Sequence, residues 1–330
     1  MRCFGIMVWL VACGMAVGLA VKPLPGYLRS DLPVPDGTYG AWAMAISEHG
    51  IIGGGAAIPY GDYGGAIAIV WPNARKITDL EFGPDSVCHG VGKNAYLINA
   101  SPWRCFVLTG KTVTELPTLG GDFIEGTCIN NLGQVAGWSK TADGKMHAFF
   151  WDGARMYDIG DLGGGQSYAW DLNDDGVVVG VSYTVVTNDY AEAHGFRWTK
   201  KGGLVDVTPG TGTNSAVYGI NRKGQMTGFI FDGPDRHGVV WETDGTITEL
   251  PELGFGCYPS KINNRGMVCG IVIDDQHRCR ACVWTAGSLI LLDHDSIIDS
   301  RAVDLDDRGQ VVGSYQVTID DTIGCVWRPR

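Results

Sequence analysis

The sequence predicts an all-β chain folded as a seven-bladed β-propeller of four-stranded antiparallel blades. Three observations carry this prediction. A short pattern recurs seven times along the 330 residues, six of its copies close on a tryptophan, and the last copy lacks the apolar stretch that follows the tryptophan elsewhere. Repeats of about 40–50 residues are typical of propellers, solenoids and arrays, in which each unit buries its apolar face only against its neighbours.

The first half of each repeat unit begins with an apolar residue that is followed by Asn or Asp. A glycine stands three residues after the Asn or Asp, and a second apolar stretch follows it. The clearest copies are I-N-N-L-G-Q-V-A-G at 129–137, L-N-D-D-G-V-V-V-G at 172–180, I-N-R-K-G-Q-M-T-G at 220–228, I-N-N-R-G-M-V-C-G at 262–270 and L-D-D-R-G-Q-V-V-G at 305–313. A shortened copy begins at Ile46 and a degraded one at Val91. We number the seven units in chain order.

The second half of each unit is an apolar run that closes on a tryptophan slot. Leu108 fills this slot in unit two, and successive slots are 37 to 47 residues apart. A turn and one more apolar stretch follow, so each unit is predicted to hold four short strands. No stretch after the first 20 residues shows a sustained period of 3.6, which argues against helices. The slot residues of the other units are Trp71, Trp151, Trp198, Trp241, Trp284 and Trp327.

The two ends of the chain predict how the ring closes. Unit seven stops at Trp327-Arg328-Pro329-Arg330 without a fourth strand, while Y-L-R-S-D-L-P at 27–33 reads as a strand before unit one. An N-terminal strand that completes the last unit would close the ring and remove exposed sheet edges. We therefore expect a signal peptide at 1–20 and one propeller domain at 21–330.

Two features invite a metal site. D-L-N-D-D-G at 171–176 matches the opening of a calcium loop, but Ser182 stands at the position of the closing Glu. A tight turn opened by Asn is the favoured interpretation. His147, His194 and His237 each precede a slot tryptophan by four residues. Equivalent positions on a ring are spread apart, so we expect structural histidines, with no metal and no cofactor.

The segments H-A-F-F-W at 147–151, H-G-F-R-W at 194–198 and H-G-V-V-W at 237–241 also carry a family resemblance. Together with the I-N-x-x-G-x-V-x-G pattern, they resemble the bacterial extracellular HAF-repeat proteins, over nearly all of the chain after residue 20. The resemblance implies secretion and a repeat fold, and it implies no reaction. Units two, six and seven depart from the tripeptide, which argues against a histidine role that needs every blade.

The loops between second and third strands are the candidate binding surface. They are long and variable, whereas the turns at the opposite ends of the strands are short, and variable insertions on one face often mark a binding face. We call the two faces the loop face and the turn face. The candidate ligand-binding residues on the loop face are Tyr60, Tyr63, Asp189, Tyr190, Asp232 and Asp235.

The N-terminus and the composition predict export. An apolar run after Arg2 ends in small residues and is typical of a signal peptide that is cleaved after Ala20. Cys13 leaves open the alternative of a lipoprotein that is lipidated at this cysteine. Without residues 1–20 the chain has 24 basic and 36 acidic residues. This acidity disfavours nucleic acid and anionic membranes as partners. Eight of the ten cysteines lie beyond residue 20; we expect mostly buried thiols between blades, with one or two disulfides left open.

We therefore expect a secreted, periplasmic or cell-surface monomer that acts as a non-enzymatic scaffold or binding module. A glycan, protein or peptide at the cell surface is the expected partner, on the loop face, with no membrane insertion after signal cleavage. The alternative is a propeller hydrolase or lyase that acts on polysaccharide. An enzyme would bring several acids, a histidine or a metal together in one pocket at the channel mouth. No nucleophile-elbow, P-loop or zinc-protease motif occurs in the sequence.

Overall fold

The computed structural model describes residues 26–59, 65–187, 191–209, 214–232, 235–293, 297–318 and 322–330. These residues form 28 β-strands. The search of these ranges for a helix long and apolar enough to cross a membrane finds none. The predicted signal peptide at 1–20 and Cys13 lie outside the described residues.

The strands follow one another at short intervals along the whole described chain. The first fourteen are β1 (Tyr27–Asp31), β2 (Gly40–Ile46), β3 (Ile52–Ile58), β4 (Gly65–Asn73), β5 (Lys76–Asp79), β6 (Ser86–Val91), β7 (Ala95–Ala100), β8 (Arg104–Thr109), β9 (Thr112–Glu115), β10 (Gly120–Ile129), β11 (Val135–Thr141), β12 (Met146–Trp151), β13 (Met156–Gly160) and β14 (Ser167–Leu172). The other fourteen are β15 (Val178–Val186), β16 (Ala191–Thr199), β17 (Gly203–Asp206), β18 (Ser215–Ile220), β19 (Met226–Asp232), β20 (Asp235–Trp241), β21 (Ile247–Glu249), β22 (Cys257–Ile262), β23 (Val268–Ile273), β24 (Cys279–Thr285), β25 (Ser288–Leu291), β26 (Asp299–Leu305), β27 (Val311–Gln316) and β28 (Ile323–Pro329).

Each repeat unit folds as an antiparallel meander whose register follows the sequence pattern. In unit four Leu172 pairs with Val178, Val178 with Trp198 and Trp198 with Leu204. The apolar residue of the Leu-Asn pair, the valine after the turn and the slot tryptophan are therefore cross-strand neighbours. Such pairs are the main source of side-chain stabilisation within a sheet.

The prediction of seven separate four-stranded blades is wrong. Units two to six form five four-stranded blades, and the other eight strands form one sheet that combines unit seven, unit one and β1. A parallel bridge between Ala41 and Ile323 joins the two units. Gly324 makes the bridge possible, because a Cβ at this position would lie 2.9 Å from the carbonyl oxygen of Ala41. A larger residue there would hold β28 away from β2.

Strand β1 pairs with the same edge of β28 that carries the bridge to β2, because β27 occupies the opposite edge. Tyr27 to Asp31 pair antiparallel with Pro329 to Cys325, and the buried Leu32 donates its amide hydrogen to Gly324. Arg29 adds an ion pair to the buried carboxylate of Asp293 at 2.7 Å. The segment at 27–33 therefore supplies the strand that unit seven lacks.

The core consists of seven apolar clusters between neighbouring units, one of them between units seven and one, so the packing runs around a full circle. All six slot tryptophans are buried, with exposed fractions of 0–6%. The eight cysteines after residue 20 are free thiols, and only Cys279 is partly exposed. Most of these thiols pack in the clusters as small apolar groups.

Candidate functional site

The repeated Asn closes the turn that begins the second strand. The side-chain oxygen of Asn173 accepts amide hydrogens from Asp175 and Val177, each at 3.1 Å, and Gly176 has a φ of 72°. The turn interpretation of D-L-N-D-D-G is thereby confirmed. Asn130, Asn221, Asn263 and Asp306 accept the same pair of amide hydrogens in their own units.

The same asparagines also join neighbouring units. The amide group of Asn130 donates to the carbonyl of Asn173 at 3.0 Å, Asn173 to Asn221 at 3.1 Å, and Asn221 to Asn263 at 2.9 Å. Asn263 donates to the carbonyl of Asp306 at 3.0 Å. These bonds, which we call the asparagine ladder, run in one direction from unit three to unit seven. They join the turns of five neighbouring units on the turn face.

The first strand of every unit, which we call the inner strand, is irregular immediately before its turn. Each first strand of a unit shifts register there, for example between Ala169 and Asp171 in β14 and between Pro259 and Lys261 in β22. The other five inner strands shift at the equivalent position. A bulge of this kind re-aims side chains and is common next to functional sites.

A cavity of about 190 Å³ lies on the ring axis at the turn face, and residues from all seven units line it. Four titratable side chains, His89, Asp171, Lys261 and Asp304, contribute to its wall. The ammonium of Lys261 lies 2.5 Å from Asp171, and 23% of the Lys261 side chain stays exposed. The pair therefore faces the cavity.

Each acid of the cavity also holds a backbone amide of the next unit. Asp171 accepts the amide hydrogen of Ile220 at 2.9 Å, and Asp304 accepts that of Ile46 at 2.8 Å. The second oxygen of Asp304 accepts the amide hydrogen of Leu305. These bonds fix the carboxyl groups relative to each other without any ligand.

The cavity shifts the charges of its lining residues. Burial raises the pKa of Asp304 to about 6, although the nearby Lys261 opposes this. Burial alone would lower the pKa of Lys261, but the attraction of Asp171 and Asp304 outweighs it and raises that pKa. Burial lowers the pKa of His89 to about 4. At neutral pH the wall thus presents a charged Lys261 and a neutral imidazole beside the carboxyl groups of Asp171 and Asp304.

A ring of hydrogen-bonded polar residues surrounds the mouth of the cavity. Asp174 accepts from Asn131 and from Arg222, and Asp307 accepts twice from Asn264. Burial and a hydrogen bond to Asp307 raise the pKa of Glu48, at the same rim, to about 7. This mouth is therefore polar, mostly acidic and already ordered.

The structure describes little of the predicted ligand-binding set. Tyr60, Tyr63, Asp189 and Tyr190 lie outside the described residues. Asp232 and Asp235 pair with each other at the ends of β19 and β20, and only their backbone is described. A ligand site on the loop face stays a prediction.

The three repeat histidines lie in three different sheets, on β12, β16 and β20. The Nδ1 atom of His147 lies 2.9 Å from Asp158, and that of His194 lies 2.7 Å from Asp206. Both acids belong to the fourth-strand region of the same unit. The residues that the structure describes contain no group of three or more His, Cys, Asp or Glu side chains suited to a metal ion.

The cavity residues were not predicted from the sequence. Asp171, Lys261 and Asp304 directly precede the Ile/Leu-Asn/Asp pair, where Ala45, Gly90, Cys128 and Gly219 stand in the other units. The available signal for the site was that these three units have a charged residue at a repeat position that is small or apolar in the other units. Their convergence depends on the bulges and on ring closure, which no single unit encodes.

Comparisons with known proteins support the fold. No family model and no curated protein sequence matches the chain. The β-propeller domain of the Trilobed protease from Pyrococcus furiosus, described with an open velcro topology, has a TM-score of 0.62 and 10% identity over 88% of this chain and 94% of that chain. The acylaminoacyl peptidase of Pyrococcus horikoshii has a TM-score of 0.53 and 11% identity over 89% and 53% of the two chains.

A selenomethionine-substituted virginiamycin B lyase from Staphylococcus aureus has a TM-score of 0.51 and 9% identity over 92% of this chain and 98% of that chain. The class that the fold defines is thus an all-β propeller. At such identities the shared fold carries no activity, because propellers host unrelated functions.

Proposed function

We propose that the protein is an exported propeller that acts as a non-enzymatic binding module, with a small polar ligand at the cavity on the turn face. The observation that carries this proposal is the convergence of His89, Asp171, Lys261 and Asp304 from units two, four, six and seven on one cavity. Binding sites are typically concave and preformed, with a few fixed polar groups.

Export and membership of the HAF-repeat class are part of the same proposal. They rest on the apolar N-terminus and on the repeat patterns of the sequence. The chain is acidic, with a formal net charge of −11, which favours neutral or cationic partners over nucleic acid. A surface glycan, protein or peptide would be the source of the polar group that enters the cavity.

A hydrolase or lyase acting on polysaccharide is the second candidate. The observation that favours it is the carboxyl of Asp304, whose pKa of about 6 suits a general acid or base near neutral pH. Both of its oxygens, however, already accept backbone amide hydrogens, and the Lys261 ammonium is paired with Asp171. Groups that are held in place by such bonds suit recognition better than proton transfer.

The test is a screen of the chain 21–330 against glycan and peptide arrays, followed by titration of each hit. We expect His89→Ala and Lys261→Met to weaken binding at least tenfold. The exposed Lys93→Met, on the turn face outside this cavity, is the control and should bind as the wild type does.

Binding that survives both cavity variants but is lost in Tyr63→Ala and Tyr190→Ala would overturn the cavity site and favour the loop face. Turnover of a polysaccharide that disappears in Asp304→Asn would instead establish the enzymatic alternative.

A further inference from the structure

Trp103 is an exposed tryptophan on the loop face, in the turn between β7 and β8. Its exposed fraction is 54%, whereas the six slot tryptophans are almost completely buried. Its φ of 55° lies in the left-handed region, which a bulky residue rarely adopts. Strained backbone of this kind is concentrated at functional sites. Neither the packing of the unit nor the repeat pattern requires a tryptophan here.

A second aromatic ring holds Trp103 in place. The ring centroids of Trp103 and Phe123 are 4.7 Å apart, with an angle of 39° between the ring planes. Phe123 lies in β10, the inner strand of unit three, so the contact joins two units. We call these two side chains the aromatic platform. Such contact fixes the ring while more than half of the Trp103 surface still faces solvent.

Each ring of the aromatic platform has a neighbour in sequence that forms an ion pair; we call these two ion pairs the border of the platform. Arg104 forms two hydrogen bonds to Glu115, at 2.7 and 2.6 Å, and Lys140 lies 2.9 Å from Asp122. These partners lower the pKa of Glu115 and of Asp122, so both acids are ionised at neutral pH. The border thus offers two cations and two anions, and its charges cancel.

We propose that the aromatic platform binds a sugar ring of a neutral polysaccharide. A flat apolar ring takes the apolar face of a sugar, and the charged side chains next to the two rings in sequence offer donors and acceptors for sugar hydroxyl groups. Because the charges cancel, the border gives an anionic or cationic polymer no net attraction. The platform lies on the opposite face from the cavity, so this binding is independent of the proposed function above.

The test titrates the chain 21–330 with cellohexaose, laminarihexaose and maltohexaose and follows tryptophan fluorescence and calorimetric heat. We expect at least one of these neutral hexasaccharides to bind, with quenching of Trp103. Trp103→Gly should weaken that binding at least tenfold and should fold normally, because glycine adopts a positive φ without strain. Should Trp103→Gly not fold, Trp103→Asn serves the same purpose, since Asn also tolerates this region.

Tyr39→Ala is the matched control, because Tyr39 is an exposed aromatic residue (80%) outside the platform, and it should bind within twofold of the wild type. Lys261→Met should also bind as the wild type, which separates this site from the cavity. The proposal is overturned if none of the three hexasaccharides binds, if Trp103→Gly binds as tightly as the wild type, or if only charged oligosaccharides or peptides bind at the platform.

Discussion

At the scale of single residues, one asparagine in each of several units has two structural roles. The oxygen of Asn221 closes its own turn by accepting from Lys223 and Gln225, while its nitrogen donates to the next unit. The turn could be predicted from the sequence, because Asn and Gly at this spacing act locally. The asparagine ladder could not be predicted, because the accepting carbonyl belongs to another unit and its position depends on how the units pack.

The slot tryptophans allow a direct test of residue packing. Trp241 is 5% exposed and packs among apolar residues of units four and five. We expect Trp241→Ala to lower the free energy of unfolding by about 3–5 kcal/mol, since it removes a large buried side chain and leaves a cavity. Urea denaturation measures this loss. Trp103→Gly, at an exposed tryptophan, is the control and should change stability by less than about 1 kcal/mol; an equally small loss in Trp241→Ala would contradict the burial.

Lys261 should stabilise the fold mainly above pH 6. Without its ammonium, Asp171 and Asp304 would be half-buried carboxylates with no counter-ion, so Lys261→Met should cost about 1–3 kcal/mol at pH 8. The folded-state pKa of Asp304, already about 6, would rise further above its unfolded value. The loss of stability caused by Lys261→Met therefore grows as the pH rises through the pKa of Asp304 in the folded protein. It becomes small as the pH falls toward the pKa of Asp304 in the unfolded chain.

We accordingly expect less than half of that cost at pH 5, where Asp304 is protonated in the variant. Unfolding in urea at the two pH values provides the measurement. Lys200→Met is the matched control, because Lys200 forms an exposed pair with Asp152 at 2.8 Å and such pairs contribute little. An identical loss at pH 5 and pH 8 for Lys261→Met would show that the lysine acts by packing alone.

At the scale of elements, the repeat pattern predicted the strand sequence well, because apolar runs between Asn, Asp and Gly turns are local signals. It did not predict the merged sheet. Whether β28 touches β2 depends on the close approach at Gly324. Small residues occupy the same repeat position elsewhere: Ala148 in unit three, where an isolated parallel bridge joins Met146 to Gln166, and Gly195 in unit four, where the described residues form no such bridge. The bulges were missed for a similar reason, since register exists only between paired strands.

Strand β1 is expected to stabilise the whole molecule. Deletion of residues 21–34 removes the partner of β28, the buried Leu32 and the ion pair from Arg29 to Asp293. An exposed strand edge and an uncovered core would remain. Hydrogen exchange followed by mass spectrometry should then show faster exchange even in unit four, on the far side of the ring. Faster exchange confined to β28 would mean that β1 is a local addition; deletion of residues 21–25 alone is the control.

At the scale of the whole molecule, the cavity shows why the site escaped the sequence analysis. His89, Asp171, Lys261 and Asp304 are spread over more than half of the chain, and only the closed circle of units brings them together. Variable loop lengths are visible in a sequence and indicated the opposite face as the binding face, whereas convergence at a ring axis is not visible in a sequence.

The buried thiols predict a chemical property of the intact ring. Burial raises the pKa of Cys88, Cys105 and Cys257 to about 12, and a thiol that is neither ionised nor accessible does not react. In the native chain 21–330 we expect a thiol reagent to label at most the partly exposed Cys279, against all eight cysteines in urea. The melting temperature should not depend on added reductant. Rapid labelling of several native thiols would contradict the interunit packing.

The pairing of β1 with β28 has a mechanical consequence. Tyr27 lies beside Pro329, and the amide of Arg330 donates to the carbonyl of Gly26, so both ends of the ring emerge at the same end of one antiparallel ladder. A force applied between Gly26 and Arg330 would break these hydrogen bonds one after another, in the unzipping geometry, instead of loading them all at once in the shear geometry. In optical tweezers we expect β1 to detach and reattach at low force before any unit unravels, although its deletion is expected to destabilise the whole ring.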